Sequence, residues 1–83
     1  MSSKDIKEHL SEQNPEALLA DGFDDALIGI GNRAGTLPVA IYSYDKCIKI
    51  LMKNMNHEEA VEFFDFNVLG SYVGKYTPIF MEK

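Results

Sequence analysis

The sequence predicts an α+β domain: a small antiparallel sheet, made of a hairpin and a C-terminal strand, packed on two consecutive helices and preceded by an N-terminal helical extension. Three observations predict it. Two apolar runs, residues 26–32 and 38–42, lie close together between glycine, asparagine and proline, as the arms of a β-hairpin do. Two capped amphipathic patterns follow one another over about 44–54 and 57–69, at helical spacing. A final apolar run, Pro78-Ile79-Phe80-Met81, comes after a loop containing Gly74.

Residues 3–13 are the most polar stretch, with Ile6 and Leu10 four apart on one side. Ser2 or Ser3 is placed to cap a short helix there. Asn14-Pro15-Glu16 reads as a second helix start, with asparagine as cap, proline at the first position and an acid facing the positive end of the dipole. That helix is expected over residues 15 to 20 or 21, with Gly22 ending it in a left-handed conformation. Residues 1–19 are read as the N-terminal helical extension and residues 20–83 as a single α+β domain. The extension is expected to be expendable for folding, deletion of residues 1–13 costing under about 2 kcal/mol, because Ile6 and Leu10 are its only evident anchors.

In the first strand, Ile28 and Ile30 are expected on one face and Gly29 and Gly31 on the other, bare enough for a close neighbour. Ala34-Gly35-Thr36-Leu37 is the turn. Ser43 caps the next helix, whose apolar face is Cys47, Ile48, Leu51 and Met55, with Lys49 and Lys53 toward water. Asn56 with Glu59 three residues later has the form of a capping box. Behind it Ala60, Phe63, Phe64, Asn67 and Val68 follow one helical stripe up to Gly70.

Size and charge narrow the function. The chain has 83 residues, one domain, with room for a modest core but little for a deep cleft as well. Net charge is −5 and the eight Lys and Arg are scattered. Direct nucleic-acid binding is not expected, since phosphate neutralisation supplies much of that affinity. An acidic surface suits solvation, a basic partner, or mimicry of nucleic acid. Cys47 is the sole cysteine, which rules out an intramolecular disulfide and cysteine-rich zinc sites and fits a reducing compartment. No stretch has the apolar character of a signal peptide or a membrane span. A homodimer would be compatible with the small core.

No catalytic motif survives its context. Gly29-Ile30-Gly31-Asn32-Arg33-Ala34 has the spacing of a dinucleotide fingerprint, but that motif must open a helix. Here Gly35-Thr36-Leu37-Pro38 turns the chain back into a strand. Asp21, Asp24 and Asp25 lack the spacing of a calcium loop and read as turn and cap residues. His9 and His57 have no nucleophile arranged beside them. Cys47, on an apolar helix face, reads as a buried inert thiol. Asn67 interrupts an aromatic face; it reads as a buried amide bonded to backbone, with a ligand-facing amide as the alternative. Glu58, Glu59, Glu62 and Asp65 form an acidic run on the last helix, either a solvated face or an acidic docking face.

Three blocks also carry a resemblance. They are Asp21-Gly22-Phe23-Asp24-Asp25-Ala26, leading into Leu27-Ile28-Gly29-Ile30; Tyr42-Ser43-Tyr44-Asp45-Lys46-Cys47-Ile48-Lys49-Ile50-Leu51; and the stretch from Glu58-Glu59-Ala60 through Glu62-Phe63-Phe64-Asp65-Phe66-Asn67-Val68 and Gly70-Ser71-Tyr72-Val73-Gly74 to Thr77-Pro78-Ile79-Phe80. Together they resemble a family of small uncharacterised proteins of tailed bacteriophages, over Ala20 to Phe80. The resemblance brings no catalytic residues with it. It implies a viral gene expressed in the host bacterial cytoplasm.

The expected function is that of a phage accessory protein that binds a host or phage macromolecule, a protein partner being expected, with inhibition of a host factor or defence system as one form of this, and without catalytic residues, metal or cofactor. Glu62, Asp65, Phe66, Tyr72 and Tyr76 are the candidate partner-binding residues: acids to steer a basic partner, aromatics to anchor it. One alternative is a small enzyme or metal-binding protein using Asp24, Asp25 and Asn67. Another is a structural component of the virion.

Overall fold

The fold begins with a cap. In a computed structural model that describes residues 2–32, 35–72 and 74–82, the Ser2 side chain accepts the Asp5 N–H at 3.2 Å and starts α1, Ser3–Gln13. Ile6 and Leu10, one turn apart, are 3% and 2% exposed. They belong to the same hydrophobic cluster as the rest of the core, which argues against a segment that is expendable for folding.

Asn14 does not start a second helix. Its N–H closes α1 on the Leu10 carbonyl at 2.7 Å. Its buried amide donates to the Pro38 carbonyl at 2.8 Å, and its Oδ1 accepts the Glu16 N–H at 3.1 Å. Residues 15–20 form a turn and then irregular chain, not the expected helix. So short a helix has few internal hydrogen bonds to offset its nucleation cost. Tertiary partners take the backbone groups instead: Leu18 N–H donates to the Tyr76 carbonyl at 3.1 Å, and Ala20 N–H to the Tyr42 hydroxyl at 2.9 Å. Gly22 does adopt a positive φ, 88°, but in a turn.

A 3-10 turn, Asp24–Ala26, leads into β1, Leu27–Gly31, which pairs antiparallel with β2, Val39–Ser43. The expected hairpin is present; Arg33 and Ala34, in the loop between its strands, lie outside the described residues. The register slips between Leu27, opposite Tyr42, and Gly29, opposite Ile41, so Ile28 is the extra residue of a β-bulge. The bulge turns Ile28 outward, 42% exposed, while Leu27 is buried and Ile30 packs against the core. The two isoleucines therefore do not share a face. Gly31 does make room for a neighbour: a Cβ there would stand 2.6 Å from Ile41 Cδ1.

The third strand, β3 (Ile79–Met81), lies beside β2 but runs parallel to it, pairing Ile41 with Ile79, Tyr42 with Phe80 and Ser43 with Met81. The sheet is thus mixed, in the order β1-β2-β3, rather than wholly antiparallel. Residues 44–78 separate the two strands and contain both helices. A connection of that length crosses over and returns in the same direction, which a tight hairpin cannot do.

Ser43 accepts the Lys46 N–H at 3.2 Å and caps α2, Tyr44–Leu51. The last turn tightens over residues 52–54, with Asn54 N–H donating to the Leu51 carbonyl at 3.1 Å. Asn56 and Glu59 form the reciprocal capping box of α3, His57–Phe63. The helix was expected to continue regularly to Leu69. It widens instead into a π-helical segment, Phe64–Val68, and narrows to a 3-10 turn, Leu69–Ser71. Phe64 is the hub of the core, in edge-on contact with Phe23, Tyr44 and Phe80 at centroid distances of 6.1, 5.2 and 4.9 Å. Tyr42 stacks on Phe80 at 5.5 Å.

Candidate functional site

The change of helix type at Phe64 decides what the last helix shows to solvent. A regular α-helix would bring Ala60, Phe63, Phe64, Asn67 and Val68 onto one stripe. The π turn takes an extra residue per turn. Only Ala60, Phe64 and Val68, spaced by four, stay buried. Phe63 rotates out to 41% exposure, Phe66 stands at 81%, and Asn67 is exposed. Asn67 is therefore not a buried amide bonding backbone.

The released side chains line an open groove of about 460 Å³ between the α2–α3 turn and the π segment. Met55, Phe63 and Phe66 give it an apolar floor, Glu59 and Glu62 an acidic edge, and Asn54 and Asn67 amide groups. Glu59 Oε1 is held by the Asn56 N–H at 3.1 Å, so this carboxylate is fixed by the capping box. Residues 56–72 hold four acids and neither Lys nor Arg, so this stretch carries only negative charge. Burial raises the Tyr44 hydroxyl pKa above its usual value, and the nearby Asp65, Glu82 and Asp45 carboxylates add to the rise.

The residues expected to bind a partner divide into two groups. Glu62 and Phe66 line the groove. Asp65 is exposed on the same segment, toward Tyr44. Tyr72 and Tyr76 are not among the groove residues. Tyr72 is half-buried against Phe80 at 6.3 Å and donates its hydroxyl to the Leu19 carbonyl at 3.2 Å. Tyr76 lies under the Lys75 ammonium at 5.4 Å, and its carbonyl receives the Leu18 N–H. Both tyrosines tie the C-terminal loop to the segment after α1. Sequence reasoning missed Asn54, Met55 and Phe63 as groove residues. The available signal was the crowding of Phe63, Phe64 and Phe66, which one narrow helical stripe cannot bury together.

The other candidates sit elsewhere. Asp24 pairs with Lys7 at 2.7 Å. Asp25 shares a shallow pocket with Lys46, Lys49, Lys53 and Ile50. Among the described residues no three His, Cys, Asp or Glu side chains converge as a metal site would require, and no helix is long and apolar enough to cross a membrane. Cys47 is fully buried, and burial pushes its thiol pKa up to about 12, the opposite of an activated nucleophile. No family model, curated protein or solved structure matches the chain.

Proposed function

We propose that this chain is a phage accessory protein that works in the host bacterial cytoplasm by binding a protein of host or phage, without turnover, and that the contact is made by the π segment and the groove beside it. The observation that carries the reading is Phe66, 81% exposed at the edge of a groove that also contains Phe63 and Glu62. A large aromatic held in water on a helix forfeits the burial its side chain would gain in a core, and such residues are the usual anchors of protein interfaces. The groove is open and shallow, unlike the enclosed pockets that take small substrates. An inhibitor of a host factor or defence component fits this reading, since occupying a surface needs no chemistry. The competing enzymatic reading would need Asp24, Asp25 and Asn67 to act together. Asn67 lines the groove and neither aspartate does.

The test is affinity capture from host lysate with the wild type, Phe66→Ala, and the double charge reversal Glu62→Lys with Asp65→Lys. The wild type is expected to retain a partner that Phe66→Ala loses, and the double reversal to slow its association in a salt-dependent way. Equal recovery of that partner by all three proteins removes the proposed surface. Turnover of a small molecule by the pure protein removes the non-enzymatic reading.

A further inference from the structure

We infer that the occupant of the groove is a basic amphipathic segment of another protein, with a large apolar side chain seated between Phe63 and Phe66 and Lys or Arg side chains meeting Glu62 and Glu59; this rests on the proposed function above. The argument is one of charge and shape complementarity. The apolar floor of Met55, Phe63 and Phe66 asks for an aliphatic or aromatic anchor. Both charged groups at its edge, Glu59 and Glu62, are carboxylates, and the single ion pair among the described residues, Lys7–Asp24, lies elsewhere. Glu62 therefore has an unspent charge for an incoming cation.

Arginine suits the groove best, because its guanidinium can pair with a carboxylate while lying over an aromatic face. Asn54 and Asn67 supply amide donors and acceptors for the occupant's polar groups. An acidic segment would meet like charge. A nucleic acid would meet it too, since residues 56–72 contain four acids and no Lys or Arg. The wide π turn maintains the arrangement: it keeps Phe64 in the core while its neighbours at 63, 66 and 67 face the groove, and π turns recur at functional sites.

The experiment titrates the isotope-labelled full chain with three synthetic helical peptides and follows the amide NMR signals. One peptide has a leucine face and an arginine face. The second replaces arginine by glutamate, and the third replaces leucine by serine. Only the first is expected to bind, with shifts concentrated in residues 54–67. Phe66→Ala is expected to weaken it at least tenfold with the remaining spectrum preserved, and Glu62→Gln to weaken it several-fold and reduce its salt dependence. Equal binding of the arginine-serine peptide, or no effect of Phe66→Ala, reduces the contact to unspecific charge and overturns the inference. So does self-association of the free chain through these residues, which would make a second copy the occupant. Loss of lysate capture by Phe66→Ala without binding of the arginine-leucine peptide leaves the docking surface standing and overturns the basic partner. Unchanged capture together with no peptide binding overturns both.

Discussion

Tyr42 shows how much one side chain can hold at this size. Its ring is fully buried beside Phe80, and its hydroxyl receives the Ala20 N–H at 2.9 Å from the segment after α1. Tyr42→Phe keeps the ring and orphans that buried N–H. A loss of about 1–3 kcal/mol in urea unfolding is expected; a loss below about 0.5 kcal/mol would mean that water takes over the bond. Asn67 should behave in the opposite way. It is exposed, so Asn67→Leu is expected to leave the melting temperature nearly unchanged, as surface substitutions do, while altering whatever the groove binds. The cap residues Ser43 and Asn56 were readable from sequence, because a cap is a contact over three residues and needs no tertiary information. Asn14 was not. The same residue type before Pro15 signals a helix start, but here a carbonyl 24 positions away captures its amide.

Among the elements, those with local causes were legible and those with distant causes were not. Both arms of the hairpin, α2 and the capping box of α3 follow from short-range pattern. The direction of β3 depends on the path of residues 44–78, which no local signal encodes. The bulge at Ile28 and the π segment each insert one residue into a regular period, which shifts the faces of neighbouring side chains such as Ile28 and Asn67. That is why the core was mostly legible, while of the groove residues only Glu62 and Phe66 were among the candidate partner-binding residues; Glu59 and Asn67 were legible in that role only as alternatives, and Asn54, Met55 and Phe63 not at all. The N-terminal helix gives the clearest test at this scale. Deleting residues 1–13 removes Ile6 and Leu10, two fully buried side chains worth about 1.5–3 kcal/mol each. For a domain with about 5 kcal/mol in hand, the truncated chain is expected to lose its cooperative unfolding transition, followed by circular dichroism. A truncated chain that still melts cooperatively near the wild-type temperature would mean that the sheet and α2–α3 suffice alone.

The molecule as a whole has its charge on the outside and its weakly acidic groups on the inside, and that sets its response to alkali. Cys47 is pushed up to about 12 by burial. Burial also raises Tyr42, against the lowering effect of the Ala20 N–H on its hydroxyl, and raises Tyr72, with further increments from Asp21 and Cys47. Groups with raised pKa hold their protons longer in the folded chain than in the unfolded one. Well below pH 9, the ordinary value for Cys47, both states keep these protons and stability is unaffected. Above it the unfolded chain binds fewer protons, so the free energy of unfolding falls as pH rises. Cys47 alone contributes up to about 1.4 kcal/mol per pH unit, and the tyrosines join above 10, their ordinary value. Across the window from 9 to about 12 the loss accumulates, and the protein is expected to unfold at markedly lower urea at the alkaline end than near neutral pH. Urea titrations at a series of pH values check this. The variant Cys47→Ala, less stable at neutral pH through the lost packing, should show a shallower decline between pH 9 and 10, where the thiol acts before the tyrosines. The same decline in wild type and variant would mean that the alkaline loss comes from surface charge and not from the buried thiol.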